Sequence, residues 1–184
     1  PDFAGIKTVF TIHNITYQGK FSPEVLCDVF GIAGYLRPVF EYDGAVNLMK
    51  AGIELADEVT TVSPTYANEI KDPYFAEGLE YVIKENEGKI SGILNGIDKK
   101  IHNPKTDKAL FFNFSAADAA PKKENKKALE KLLGLKEAPM LGMVTRLVEQ
   151  KGMDLVAAVF DEIIDLGFNV VILGGGDKKY EDFL

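Results

Sequence analysis

The feature that most constrains this chain is an alternation. Short apolar runs of strand type are separated by stretches of helical spacing, and that order builds parallel α/β sheets. Residues 7–12 form a compact apolar run, and Ser22-Pro23-Glu24 reads as a helix start with Ser22 as N-cap. Val46, Met49, Ile53 and Ala56 keep one helical face. Residues 58–62 are β-branched and strand-like, and Ser63-Pro64 repeats the cap-then-proline start. Residues 79–84 read as a short helix and 89–94 as a strand closing on the turn signal Asn95-Gly96. Periodicity is then lost from 99 to 121, a stretch holding Asn103-Pro104 and ending in Pro121. It resumes with a helix over 123–133 that stops at Gly134, and a strand over 140–145. One helix carries Met153, Val156, Phe160, Ile163 and Ile164 on its apolar face, and a buried-type strand, Asn169–Leu173, runs into Gly174-Gly175-Gly176. The organisation is an α/β chain in two units, 1–102 and 122–184, joined through 103–121.

In such sheets ligands bind beyond the carboxyl ends of the strands. Four polar clusters stand there: His13-Asn14 with Tyr17-Gln18-Gly19, Ser63-Pro64-Thr65-Tyr66, Asn95-Gly96-Ile97-Asp98, and Thr145-Arg146-Leu147 with Gln150-Lys151-Gly152. Each alone has a structural explanation as a satisfied histidine, a cap, a turn or an exposed loop, and the glycine run lacks dinucleotide-fingerprint spacing. Together they say more. Arg146 and Lys151 bracket an expected helix start, where a guanidinium and an ammonium make a diphosphate cradle. His, Asn, Gln and Tyr at the other unit's strand ends can hydrogen-bond sugar hydroxyls. The residues point to an enzyme that handles a nucleotide sugar.

Charge removes other classes. The net charge is −7, with 28 acidic against 21 basic residues, which opposes a nucleic-acid or anionic-membrane surface. Lys122, Lys123, Lys126 and Lys127 are interleaved with Glu124 and Glu130 and read as a solvated helix face. Cys27 is the single cysteine, expected to be a packed thiol, so no internal disulfide is available. No apolar run reaches the length of a membrane span. The expected compartment is the reducing cytoplasm.

The blocks in order resemble one family. Thr11-Ile12-His13-Asn14, Tyr17-Gln18-Gly19, Asn47-Leu48-Met49-Lys50-Ala51-Gly52, Thr60-Thr61-Val62-Ser63-Pro64-Thr65-Tyr66-Ala67, Gly92-Ile93-Leu94-Asn95-Gly96-Ile97-Asp98 and Arg146-Leu147…Gln150-Lys151-Gly152 are similar to those of bacterial glycogen synthases and plant starch synthases. The resemblance implies parts of two Rossmann-like domains of a GT-B glycosyltransferase. Residues 1–102 would end the acceptor-side domain, and 122–184 would begin the nucleotide-sugar-binding one. It implies transfer of glucose from ADP-glucose to the non-reducing end of an α-1,4-glucan such as glycogen, with retention and without metal or cofactor. Arg146 and Lys151 would hold the diphosphate and stabilise the departing ADP, and His13 would contact the transferred glucose. Asn95 would lie near the sugar, Tyr17 and Gln18 would shape its surroundings, and Gly174, Gly175 and Gly176 would let the backbone approach the nucleotide.

His102 stands where the family has an aromatic residue before Asn103-Pro104, and it receives no role. The family's Lys-x-Gly-Gly-Leu loop and its Glu-containing donor segment are absent from the sequence. The chain is therefore expected to be an internal piece and inactive alone. Two competing readings are another GT-B nucleotide-sugar transferase, disfavoured by the His13–Gln18 block, and a non-catalytic glucan-binding module, disfavoured by the lack of Trp. The preference for ADP-glucose over UDP-glucose rests on the resemblance alone.

Overall fold

The computed structural model describes residues 5–184; residues 1–4, with the Pro1 that opens the first expected unit, lie outside the described residues. Contacts divide the chain into two compact units between Ile97 and Asp98.

The first unit starts with strand β1 (Val9–Ile12). Next come β2 (Lys20–Phe21), a one-turn helix α1 (Val25–Asp28), α2 (Arg37–Phe40), β3 (Glu41–Tyr42) and β4 (Ala45–Asn47). Helix α3 (Leu48–Leu55), strand β5 (Glu58–Thr61), helices α4 (Pro64–Glu69) and α5 (Glu80–Glu85) and strand β6 (Ile90–Gly92) complete it. The main sheet has order β1-β5-β6 and is parallel throughout, with Thr11 opposite Thr60 and their hydroxyls 2.8 Å apart. Ile12, Ile53, Val59, Ile70, Leu79 and Ile83 pack as its buried core. Two glycines make this packing possible. A Cβ on Gly52 would press into the Phe10 ring, and one on Gly92 would meet the Ser63 carbonyl and Pro64 nitrogen. Helix α3 and the start of α4 therefore sit directly on the sheet.

A second, antiparallel sheet of order β2-β4-β3 was not expected. Its β3–β4 turn is Asp43-Gly44, both at positive φ (51° and 75°), as a two-residue hairpin requires. Val46, read as a helical residue, is instead in β4 opposite Glu41 and Phe21. The helix starts after it because the Asn47 side chain accepts the Lys50 N–H at 3.0 Å and so forms an N-cap. Two other readings need correction. Ser22 does not cap α1 through its side chain; its carbonyl accepts the Val25 N–H, and the helix begins at Val25. Cys27 is exposed, because the one-turn helix buries only Leu26. Ser63, by contrast, caps α4 as expected, accepting the Tyr66 N–H at 2.9 Å.

In the second unit, α6 (Pro121–Leu133) ends at Gly134 in the left-handed conformation, and proline occupies its first turn rather than closing the preceding loop. Strand β7 (Met140–Val144) is followed by a 3-10 turn at Glu149–Lys151 and by α7 (Met153–Ala158), α8 (Phe160–Asp165), β8 (Asn169–Leu173) and α9 (Lys178–Phe183). β7 and β8 pair in parallel over five residues. The single helix expected over 153–164 is two, because Val159 (φ −118°, ψ 11°) leaves the helical region. Glu130 is not part of a solvated face. Only 4% of it is accessible, and it accepts hydrogen bonds from Lys126 Nζ (2.7 Å), the Ala138 N–H (3.2 Å) and Asn169 Nδ2 (3.4 Å), fastening α6 to the start of β8.

Candidate functional site

His13 is exposed at the carboxyl end of β1, and the loop after it is built by its own side chains. Asn14 Oδ1 accepts the Thr16 N–H at 3.0 Å, and the Asn14 carbonyl accepts the Tyr17 N–H at 3.3 Å, which makes a tight turn. Ile15 plugs the turn into the core, and its N–H donates to the Tyr66 hydroxyl at 3.0 Å. Tyr66 is itself placed by the Ser63 cap of α4, so two separate sequence clusters meet at one hydrogen bond. Gln18 is 4% accessible. Its Nε2 donates to the Glu77 carbonyl (2.9 Å), and its Oε1 accepts from Asn47 Nδ2 (2.7 Å). Both ends of this amide are thus used inside the fold. Tyr17 is exposed beside it.

His13, Asn14, Tyr66, Tyr74, Phe75 and Glu77 line an open concavity of about 500 Å³. Tyr66, Tyr74 and Glu77 were not among the expected site residues. The available signal for Tyr66 was that an aromatic hydroxyl placed at a strand end needs a polar partner. Asn95 lies past β6, two strand positions from β1, so about 10 Å of sheet separates the two strands. It is exposed and is not in the wall of that concavity.

The second unit carries the cations. Arg146 follows β7, and Lys151 ends the 3-10 turn; both are exposed, and among the described residues neither enters an ion pair. Their loop runs through Gly152 in the left-handed conformation (φ 73°) before α7 begins. Lys151 therefore sits on a 3-10 turn two residues ahead of a short helix, rather than on the helix terminus itself.

Gly174, Gly175 and Gly176 brace this loop. The Leu147 N–H donates to the Gly175 carbonyl (3.0 Å), and the Asp177 N–H donates to the Leu147 carbonyl (2.8 Å). A Cβ on Gly174 would collide with the Thr145 carbonyl, and one on Gly176 with the Leu147 carbonyl. The glycines let two backbone segments touch, and this contact sets where Arg146 stands. Glu181 Oε1 accepts the Gly176 N–H at 2.8 Å. Among the described residues there is no group of three or more His, Cys, Asp or Glu able to hold a metal ion, and no helix long and apolar enough to cross a membrane. His102 is exposed in the irregular stretch, with no contact that gives it a role.

Comparison with known proteins adds to this geometry. Residues 1–85 match the starch synthase catalytic domain family. The glycogen synthase of Alkaliphilus metalliredigens (strain QYMF) is 49% identical over 185 residues, covering 98% of this chain and 39% of that protein. The glycogen synthase of Streptococcus agalactiae serotype III (strain NEM316) is 45% identical with the same coverage. Among solved structures, the catalytic domain of starch synthase IV from Arabidopsis thaliana, bound to ADP and acarbose, superposes with a TM-score of 0.84 at 36% identity, over 95% of this chain and 37% of that one. The chain spans about two fifths of the length of the curated relatives it matches.

Proposed function

By sequence along nearly its whole length and by its parallel α/β, GT-B-type fold, this chain belongs with the glycogen synthases and starch synthases, and from that premise we propose that the enzyme carrying it transfers glucose from ADP-glucose to the non-reducing end of an α-1,4-glucan. The observation that carries the reading is the pair Arg146 and Lys151. Two exposed cations, without carboxylate partners among the described residues, stand on a loop braced by glycine backbone, at the carboxyl ends of two adjacent parallel strands. That is a site for an anion with several oxygens, and a nucleoside diphosphate fits it. As the bond to the departing ADP breaks, charge accumulates on the diphosphate, and two fixed cations stabilise it in the transition state.

In the first unit, His13 meets the transferred glucose, with Asn95 and Tyr17 nearby. Gln18 acts by holding the 13–18 loop rather than by touching sugar, since both ends of its amide are already engaged. Gly174, Gly175 and Gly176 act through the loop they brace, with their own backbone available to the nucleotide. Residues 1–102 serve as acceptor-side domain, 103–121 as connection and 122–184 as the start of the donor-binding domain. The retained anomeric configuration and the cytoplasmic setting are part of the same reading. ADP and acarbose in the plant relative are a nucleoside diphosphate and a sugar ligand, which are the two ligand chemistries this assignment needs.

A donor screen on the full-length enzyme tests the reading. Glycogen elongation with ADP-glucose should exceed that with UDP-glucose or GDP-mannose by at least tenfold. Equal or greater rates with another donor would replace ADP-glucose in the assignment.

A further inference from the structure

Tyr74, Phe75 and Glu77 bring a loop, 72–78, into the lining of the concavity that holds His13, and this loop has no assigned task. The fold holds it with unusual care. Gln18 Nε2 donates to the Glu77 carbonyl at 2.9 Å, and the Tyr42 hydroxyl donates to the Gly78 carbonyl at 2.9 Å. The Tyr74 N–H donates to Asp72 Oδ1 at 2.9 Å. Glu77, a non-glycine residue, is kept in the left-handed region at φ 53°, a conformation that persists only where surrounding contacts impose it. Ala76 and the following Leu79 are buried and anchor the loop, but the tip is not part of that packing. The side chain at the loop's tip, Tyr74, is 84% accessible, yet its ring is braced edge-to-face on Phe75, with centroids 4.9 Å apart at 89°. The result is a water-exposed aromatic face, set against Phe75, in the same concavity as His13.

A glucopyranose ring has the complementary chemistry. Its C–H face is apolar and about the size of a phenol ring, while its equatorial hydroxyls point outward to polar groups. Stacked on Tyr74, a glucosyl unit would direct those hydroxyls toward the Glu77 carboxylate and the His13 imidazole, which line the same hollow. A tyrosine ring has only two side-chain torsions, so little side-chain entropy is lost when sugar covers it. We propose that Tyr74 is the stacking platform for a glucosyl unit of the α-glucan acceptor, beside His13. This inference rests on the transferase reading above.

The test uses the full-length enzyme and short maltooligosaccharides. Tyr74→Ala should raise the acceptor KM at least tenfold and leave the ADP-glucose KM within twofold, while Tyr74→Phe, which keeps the ring, should stay within threefold of wild type on both. Thermal midpoints of the two variants should match wild type, because the side chain is almost wholly in water. An unchanged acceptor KM in Tyr74→Ala, or an equal loss in Tyr74→Phe, would overturn the platform. His13→Ala measured alongside separates the two levels. If His13→Ala impairs transfer but Tyr74→Ala does nothing, the platform alone is wrong. If His13→Ala also retains full transfer, the assignment of this concavity to the reaction fails with it.

Discussion

Arg146 and Lys151 are left in water and neither enters an ion pair among the described residues, although the chain is rich in acid. Surface cations that serve only solubility are scattered, whereas these two share one braced loop. Changing either to Ala in the full-length enzyme should lower kcat/KM at least ~10-fold, about 1.4 kcal/mol of transition-state stabilisation. Wild-type kinetics in both variants would remove them from the site. His13→Ala should impair transfer while calorimetry finds ADP affinity within a few-fold of normal, since the cations lie in the other unit. Glu130 gives a prediction of a different kind. The Lys126 ammonium above all, then the Ala138 N–H and Asn169, hold its carboxyl below the usual 4.5. The folded state therefore binds its proton less readily than the unfolded chain, so the stabilisation is present above about pH 4.5 and is lost as pH falls through the lowered value. Glu130→Gln should flatten that acid limb in thermal melts, and an unchanged pH profile would show that the carboxylate contributes nothing. This residue also marks the limit of reading side chains from sequence. Glu130 and Gln18 look like surface polar groups, and Cys27 looks like a core one. Gln18 and Glu130 are held in the interior with the help of partners 29 to 59 positions away, Asn47 and Glu77 for Gln18 and Asn169 for Glu130, while Cys27 is exposed on a one-turn helix that buries only Leu26.

At the scale of elements, the parallel strands and the capped helices were legible because each carries its signal locally: apolar runs at β1, β5, β7 and β8, Ser63 before Pro64, and Gly134 after α6. The small antiparallel sheet was equally written in Asp43-Gly44, but β2 and β3 are two residues each and leave no period to detect. The break at Val159 has no proline or glycine to announce it. The glycine run was read as a surface for nucleotide, and its first duty in the fold is to admit the Thr145–Leu147 backbone. From this contact it follows that Gly174→Ala should lower kcat/KM at least as much as Arg146→Ala and should also lower the thermal midpoint, because the added Cβ must push the Arg146 loop away. Full activity and an unchanged midpoint would mean the loop tolerates the shift, and that the bracing has no part in catalysis.

At the scale of the whole molecule, the chain leaves apolar surface in water. Val9 (62% accessible) lies on the edge strand β1 of one sheet, and Val144 (82%) closes one strand of a two-stranded sheet in the other unit. Expressed alone, the 184-residue chain should associate, bind a hydrophobic dye and fail to turn over ADP-glucose, since such surfaces seek cover. A monodisperse, active chain would contradict this. The lost periodicity around 99–121 gave an expected division into 1–102, 103–121 and 122–184, while contacts divide the chain between Ile97 and Asp98; the donor, the acceptor and the roles of particular residues came from resemblance rather than from spacing. The most direct test of the account is ADP release from the full-length enzyme given ADP-glucose and glycogen, measured for wild type and for Arg146→Ala/Lys151→Ala. The account predicts ADP release matched mole for mole by glucose added to glycogen in wild type, and a rate at least ~100-fold lower in the double variant. Absence of transfer in wild type, or an unaffected rate in the double variant, would contradict it.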